Sequence, residues 1–232
     1  MIDTIKNWKH IFKLDPDKKI SDDHLEKICF SGTDAIIVGG STGITYDNTY
    51  DLFSRIQQYP IPSILEISNQ DAIVIGFDLY MIPIVLNASD PDWIIGNHQK
   101  AIKKYGDIIP WEDILTEAYV SLNPDATVTK VTNASTDLDE EDVLAYARCA
   151  EQLLHMPIFY AEYSGVFGNI EMLKKVKRVL NKTQFFYGGG INTVQKAQKA
   201  AEAADTIIVG NVIYQDIELA IETVKIKEES SK

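Results

Sequence analysis

The chain alternates short apolar runs with longer segments in which apolar residues recur every three or four positions. Several of the short runs are continuously apolar or nearly so, such as Ala35-Ile36-Ile37-Val38 and Thr206-Ile207-Ile208-Val209. Runs of this kind are typical of parallel strands that are covered on both faces. The pattern predicts eight strands, at Ile11–Leu14, Ala35–Gly39, Ser63–Ile67, Met81–Leu86, Ala118–Leu122, Ile158–Tyr163, Gln184–Tyr187 and Thr206–Val209.

The segments between these strands have the spacing of amphipathic helices. The sets that show it are Leu25/Ile28/Cys29, Leu52/Phe53/Ile56, Leu173/Val176/Leu180, Val194/Ala197/Ala201 and Tyr214/Ile217/Ile221. Alternating strands and helices indicate βαβ units, and eight such units close most simply into a (β/α)8 TIM barrel. We therefore predict an α/β fold with a single catalytic domain over residues 1–232, in which residues 225–232 form a polar tail.

Three other segments give weaker or competing signals. Residues 123–136 are polar, contain Pro124, and fit a strand extension, a loop or a short hairpin. Asp92–Tyr105 is predicted as a helix in which Ile94, His98, Ala101 and Tyr105 share one face. The acidic run Asp137–Asp142 precedes another helix, where it is expected to cap the helix rather than bind a metal.

Composition and charge limit the classes of partner. The net charge of −12 argues against nucleic-acid binding and against broad adsorption to anionic lipid. No apolar run is long enough to span a bilayer, and the first residues lack the pattern of a signal peptide. Cys29 and Cys149 lie in predicted helices and are expected to be reduced packing residues. We expect a cytoplasmic protein with at most transient membrane contact.

Glycines follow the last two predicted strands. Gly188-Gly189-Gly190 comes after the seventh and Gly210-Asn211 after the eighth. In a TIM barrel the loops at these two places commonly bind phosphate, because glycines let backbone N–H groups approach an anion closely. The alternative is that these glycines only form tight turns. Their occurrence in both loops favours a phosphate site.

Polar side chains also follow three other strands. Lys13 and Asp15 lie at the end of the first, Ser41 follows the second, and Glu162 is near the end of the sixth. Taken singly, Asp15 fits a cap, Ser41 a turn and Glu162 an ion pair. Because the carboxyl ends of barrel strands meet at one rim, the set together predicts metal-assisted chemistry on phosphorylated substrates.

Five motifs resemble those of a known family. In chain order they are Lys13-Leu14-Asp15-Pro16, Gly39-Gly40-Ser41, Tyr160-Ala161-Glu162-Tyr163-Ser164-Gly165, Tyr187-Gly188-Gly189-Gly190-Ile191 and Val209-Gly210-Asn211. The set resembles the geranylgeranylglyceryl/heptaprenylglyceryl phosphate synthases over essentially the whole chain. Trp8-Lys9-His10 and Gly76-Phe77-Asp78-Leu79-Tyr80 are most similar to the bacterial PcrB branch of that family.

The resemblance implies transfer of a prenyl group from its diphosphate to the 3-hydroxyl of sn-glycerol 1-phosphate, with Mg2+ and commonly as a homodimer. It implies that Asp15 and Ser41 hold the Mg2+ at the diphosphate. Carried over by motif, the residues expected around sn-glycerol 1-phosphate are Lys13, Tyr160, Ala161, Glu162, Tyr163, Ser164, Gly165, Gly190, Gly210 and Asn211.

The implied chemistry suits these residue types. Diphosphate leaves readily only when its charge is neutralised, which a hard cation with oxygen ligands achieves. Lys13 and Glu162 are the expected catalytic residues, with Glu162 orienting the attacking hydroxyl and accepting its proton. A role for Glu162 in binding alone stays open, and the two roles are compatible.

The prenyl tail requires an apolar groove, for which we expect His98, Ala101 and Tyr105. Archaeal members with shorter products carry a bulky aromatic residue near Ala101, so the resemblance implies a long donor such as heptaprenyl diphosphate. Two other functions fit the residues: a different phosphate-binding TIM barrel that acts on sugar phosphates, and a noncatalytic carrier of prenyl phosphates.

Overall fold

The computed structural model describes residues 5–229, and its centre is a closed barrel of eight parallel strands. Neighbouring strands follow chain order, and the last pairs with the first. Each predicted strand overlaps an observed one, with ends that differ by at most four residues. The strands are β1 (His10–Leu14), β2 (Ala35–Val38), β3 (Ser63–Glu66), β4 (Leu79–Val85), β5 (Ile114–Ser121), β6 (Ile158–Glu162), β7 (Gln184–Gly188) and β8 (Thr206–Val209). The predicted TIM barrel is confirmed.

The helices surround this barrel. They are α1 (Asp22–Cys29), α2 (Tyr46–Ile56), α3 (Gly96–Tyr105), α4 (Thr127–Thr132), α5 (Glu140–Arg148), α6 (Ile170–Val179), α7 (Val194–Ala203), α8 (Ile217–Glu222) and α9 (Ile226–Glu229). After β3 the described chain has only a short 3-10 helix, Gln70–Ala72, before β4 begins. No helix within residues 5–229 has both the length and the apolar character needed to span a membrane.

Side-chain caps fix where several helices begin. Asp139 caps α5 in a capping box with Asp142, which confirms the predicted capping role of the acidic run. Thr45 and Asn48 form the same motif at α2. Cys29 and Cys149 are free thiols, as expected.

The two faces of the strands pack into two separate cores. Residues that point outward, such as Phe12 and Phe159, pack beneath the helices. Residues that point inward, such as Ile11, Ile37 and Phe186, fill the barrel together with Trp8. Because side chains alternate along a strand, a polar residue at an inward position must lie inside the barrel.

The structure corrects three predictions. Residues 123–136 contain the helix α4 and a single antiparallel bridge between Ala88 and Ala134, rather than an extension of β5 or a hairpin. Asp92–Tyr105 is not one helix, because a 3-10 helix over Pro91–Trp93 precedes α3. The tail begins later than predicted, since α9 continues to Glu229 and buries Ile226. Residues 230–232 of the predicted tail lie outside the described residues.

Candidate active site

A polar cluster occupies the carboxyl-terminal end of the barrel interior. Lys13 on β1 forms an ion pair with Glu66 at the end of β3, with 2.5 Å between Nζ and Oε2. The Lys13 side chain is 18% exposed and that of Glu66 only 5%. The ammonium also lies 5.6 Å from the centre of the Tyr160 ring, within the range of a cation–π contact.

Carboxylates keep Lys13 charged in this setting. Burial alone would lower the pKa of the ammonium, but Glu66 and Glu162 more than offset that effect, so the pKa is raised. Lys13 is therefore a fixed cation among acidic groups at the rim.

Glu162, at the end of β6, is held by two short hydrogen bonds. Its Oε2 accepts from the Tyr160 hydroxyl at 2.5 Å, and its Oε1 accepts from the Ser164 N–H at 2.5 Å. Ser164 has the rare positive φ of 30°, and Gly165 follows at 83°. Burial and the neighbouring Glu162 raise the pKa of Tyr160 well above its ordinary value, so Tyr160 stays a neutral donor. The carboxylate is thus oriented before any substrate binds.

Glu117 on β5 lies in the same interior and is fully buried. Neither of its carboxyl oxygens has a hydrogen-bond partner among residues 5–229. Burial, with Glu66 adding to it, raises the pKa of Glu117 well above its usual range despite the opposing effect of Lys13. The raised pKa favours the neutral form of Glu117, in which the cluster carries one negative charge fewer next to Lys13.

The loops after β6 and β7 are joined to each other. The Tyr187 hydroxyl donates to the carbonyl of Gly189 and accepts the N–H of Gly168, at 2.9 and 2.8 Å. Gly190 has a φ of 60°, and a Cβ there would collide with the backbone of Val166 and Phe167. The glycine is required by this close approach, so the turn is more than a flexible connection.

The loop after β8 completes this part of the rim. Gly210 precedes the 3-10 helix Asn211–Tyr214, and α7 begins just beyond the triple glycine with Thr193 as its cap. The Asn211 side chain accepts a hydrogen bond from Lys18 at 3.2 Å. Backbone N–H groups at the start of these two elements are suited to bind a phosphate.

Asp15 lies just beyond β1 and is joined to the loop after β8, because its N–H donates to the Tyr214 hydroxyl at 2.8 Å. Its Oδ1 accepts the Asp17 N–H at 3.0 Å, and burial raises the pKa of the carboxyl. A side chain at position 40 would place its Cβ only 2.7 Å from Asp15 Oδ1. Gly40, which has no side chain, therefore leaves room for the Asp15 carboxylate. Ser41 follows directly and is exposed. Residues 5–229 contain no group of three or more His, Cys, Asp or Glu side chains arranged to hold a metal.

An apolar groove of about 890 Å3 opens from this cluster, with Lys13 and Glu66 in its wall. It runs past β4 and along α3, and His98, Ala101 and Tyr105 lie in its wall. His98 donates its Nε2 hydrogen to the Pro83 carbonyl at 3.1 Å. Ile95 lines the groove and Ile94 does not. The predicted spacing from Ile94 to His98 assumed one continuous helix, but a 3-10 helix, Pro91–Trp93, precedes α3.

The structure brings most of the predicted residues to one rim but separates the side chains of two of them. Ala161 points outward into the core beneath the helices, and the Tyr163 side chain packs against the same core, where its ring contacts that of Tyr187. The sequence reasoning missed Glu66 and Glu117. The available signal was a charged residue within an otherwise apolar strand, as in Ser63-Ile64-Leu65-Glu66.

Comparison with known proteins gives one consistent result. Residues 3–228 match the model of the PcrB family. The heptaprenylglyceryl phosphate synthase of Bacillus cytotoxicus is 54% identical over 221 residues, which cover 95% of this chain and 96% of the relative.

Solved structures agree with this result. The (S)-3-O-geranylgeranylglyceryl phosphate synthase of Thermoplasma acidophilum, crystallised with its substrate sn-glycerol-1-phosphate, has a TM-score of 0.86 at 24% identity, covering 98% of this chain and 97% of that one. That likeness shows the fold. A second structure, of wild-type GGGPS from Thermoplasma volcanium, has a TM-score of 0.83 at 26% identity, covering 98% and 96%.

Proposed function

The chain belongs to the PcrB family, and from that premise we propose that it transfers a heptaprenyl group from heptaprenyl diphosphate to the 3-hydroxyl of sn-glycerol 1-phosphate. The product is an ether, and diphosphate is released. The observation that carries the proposal is the direct opening of a long apolar groove onto a polar rim, with Lys13 and Glu66 at the junction. A barrel acting on sugar phosphates would need the rim but not the groove.

The acceptor binds on the side of β6 to β8. Its phosphate lies against the N–H groups of the turns at Gly190 and Gly210. A helix begins after each turn, and the positive end of its dipole favours the negatively charged phosphate. Lys13 supplies the positive charge, and Asn211 borders the same site. The glycerol hydroxyls then face Glu162, whose two oxygens are already oriented by Tyr160 and Ser164.

Asp15 and Ser41 would hold Mg2+ at the diphosphate. The protein would supply only two ligands, one carboxylate and one hydroxyl. This number suits Mg2+, because the ion usually keeps several bound waters and is also coordinated by phosphate oxygens of the substrate. The space left by Gly40 beside Asp15 is consistent with a carboxylate placed to bind. The bound ion would neutralise the diphosphate and so make it a better leaving group.

In the reaction, the bond between C1 of the prenyl chain and the diphosphate oxygen breaks, and the bonding electrons leave with the diphosphate. A new bond forms between C1 and the glycerol 3-oxygen. The proton of that hydroxyl passes to the Glu162 carboxylate, a contribution of roughly 10²–10⁴-fold in rate for a general base. Glu162 also binds the hydroxyl, since both roles use the same oxygen.

The prenyl tail lies in the groove and passes Ala101. The small side chain of Ala101, between His98 and Tyr105, leaves the groove open at this point. The groove can therefore accept a longer prenyl chain than it could if an aromatic residue stood at this position. The remaining parts of the proposal are a homodimer, a cytoplasmic location and dependence on Mg2+.

The test is turnover with matched substrates. Protein and Mg2+ are incubated with heptaprenyl diphosphate and either sn-glycerol 1-phosphate or its enantiomer, and ether product and diphosphate are both quantified. We expect one diphosphate for each ether formed, with sn-glycerol 1-phosphate preferred. Failure to form ether with prenyl diphosphates of any length would overturn the proposal, and binding without diphosphate release would indicate a carrier.

Replacing Glu162 by glutamine tests the proton acceptor. We expect kcat to fall about 10²–10⁴-fold, because an amide cannot take the proton. Glu140→Gln is the matched control, since Glu140 pairs with Lys175 on the surface. If Glu162→Gln raised only the KM for glycerol phosphate, Glu162 would be a ligand and not the base.

A further inference from the structure

Exposed apolar side chains are concentrated at the mouth of the groove. Among residues 5–229, thirteen large hydrophobic side chains are exposed, and seven of them line the groove. Five of the seven form a set that we call the apolar rim: Ile75, Ile95, Ile102, Ile108 and Trp111, with exposed fractions between 44% and 73%. Single exposed apolar residues are ordinary on proteins, but a continuous group around one opening indicates a surface that contacts another apolar phase.

The helix beside the mouth has the composition of an interfacial helix. No residue of α3 is buried, so the helix lies on the barrel without being anchored in its core. It carries Lys100, Lys103 and Lys104 and no acidic residue, in a chain with a net charge of −12. Lysines beside exposed isoleucines and a tryptophan are typical of helices that lie in the headgroup region of a bilayer.

We propose that the apolar rim docks on the surface of a lipid bilayer and that the prenyl donor enters the groove there without crossing water. This inference rests on the proposed function, since it is the donor's long tail that requires such a path. The rim is continuous with the groove, so a tail leaving the bilayer stays in apolar surroundings along its whole route.

The charges around the mouth make a bilayer the best occupant. Lys103 and Lys104 complement anionic headgroups, and Lys100 is already paired with Asp92 at 2.7 Å. Asp107, Glu112 and Asp113 follow in the next connection and offset part of that attraction. Docking therefore depends mainly on insertion of the apolar rim into the bilayer, and anionic lipid strengthens it modestly.

Trp111 offers a direct readout in the unmodified chain. It is 51% exposed, whereas Trp8 is buried and Trp93 is partly buried. With vesicles of phosphatidylcholine and phosphatidylglycerol, we expect the tryptophan emission to shift to the blue and to be quenched when the lipids carry brominated acyl chains. No quenching would overturn the proposal.

A pair of variants then tests whether the rim is responsible. Ile95→Ser/Ile108→Ser is expected to weaken vesicle binding by about tenfold or more, because two exposed apolar side chains are lost. The control is Leu153→Ser/Leu154→Ser, which removes two exposed leucines that precede β6 at the other end of the barrel and is expected to leave binding unchanged. Equal binding by both double variants would overturn the role of the rim.

Two further outcomes separate the possible errors. If the wild-type chain turns over detergent-dispersed donor but does not bind vesicles, docking is wrong and the proposed function stands. If it binds vesicles and turns over no donor, the proposed function is wrong. If the rim variant changes from dimer to monomer by light scattering, and the wild type does not bind vesicles, the rim is an interface between copies of this chain.

Discussion

The ion pair between Lys13 and Glu66 can be probed by replacing Lys13 with methionine, which is similar in length but uncharged. The Glu66 side chain is only 5% exposed in the wild type, and the replacement leaves its carboxylate without a counterion. Its other oxygen, Oε1, is buried and has no hydrogen-bond partner among the described residues. The variant therefore contains an uncompensated buried charge close to Glu162.

The expected cost follows from this burial. Removing one partner of a buried pair costs about 3–5 kcal/mol, and the partial exposure of Lys13 favours the lower end. For a domain of this size, a loss of about 3 kcal/mol in the free energy of unfolding lowers the Tm by roughly 6–12 °C. The double variant Lys13→Met/Glu66→Leu removes both charges and should lie within about 1 kcal/mol of the wild type, because an apolar pair replaces an ionic one.

Unfolding in urea and calorimetric titration with glycerol phosphate measure the two consequences separately. The double variant should regain stability but not phosphate binding, because Lys13 is absent from both variants. Lys175→Met is the matched control: its pair with Glu140 is 2.6 Å long but on the surface, so its loss should cost less than about 1 kcal/mol. A double variant less stable than Lys13→Met, or a Lys13→Met cost equal to that of the control, would refute this account of the pair.

Three other predictions concern the metal, the groove and the core. Asp15→Asn should lower activity in a way that extra Mg2+ partly restores; an unchanged Mg2+ dependence would remove Asp15 from the metal site. Ala101→Trp should shorten the preferred prenyl chain, as measured by competition between donors, and an unaltered preference would place the tail elsewhere. Burial lowers the pKa of His10 to about 3, so the unfolded chain takes up the proton first as the pH falls below 6.5. Stability should then decrease by up to about 5 kcal/mol between pH 6.5 and 3, and His10→Gln should remove that part of the slope, which urea unfolding at several pH values measures.

The sequence pattern predicts the strands well because they are buried on both faces. Thr206–Val209 is observed as predicted, since four consecutive strand-forming residues leave little choice of structure. The helix α4 was missed for the opposite reason. Thr127–Thr132 is mostly β-branched and has no side-chain cap, so local propensity does not favour a helix there. Tertiary contacts hold it, including the 2.6 Å hydrogen bond between Thr129 and Ser121.

The site residues that belong to the motifs at strand ends, such as Lys13 and Glu162, were predictable from the sequence, whereas Glu66 and Glu117 were not. Glu66 and Glu117 are on strands, and their inward direction is evident only once the barrel is closed and its register known. The apolar rim is assembled from three separated segments, at Ile75, at Ile95–Ile102 and at Ile108–Trp111. No spacing along the chain connects these segments, so only the folded arrangement shows that they surround one opening.

The most direct test is a crystal structure with Mg2+, sn-glycerol 1-phosphate and an unreactive analogue of heptaprenyl diphosphate. The account predicts the acceptor phosphate on the N–H groups at Gly190 and Gly210 and a glycerol hydroxyl within hydrogen-bond distance of Glu162. It also predicts the tail in the groove beside Ala101. A phosphate bound away from this rim, or a tail that lies outside the groove, would contradict it.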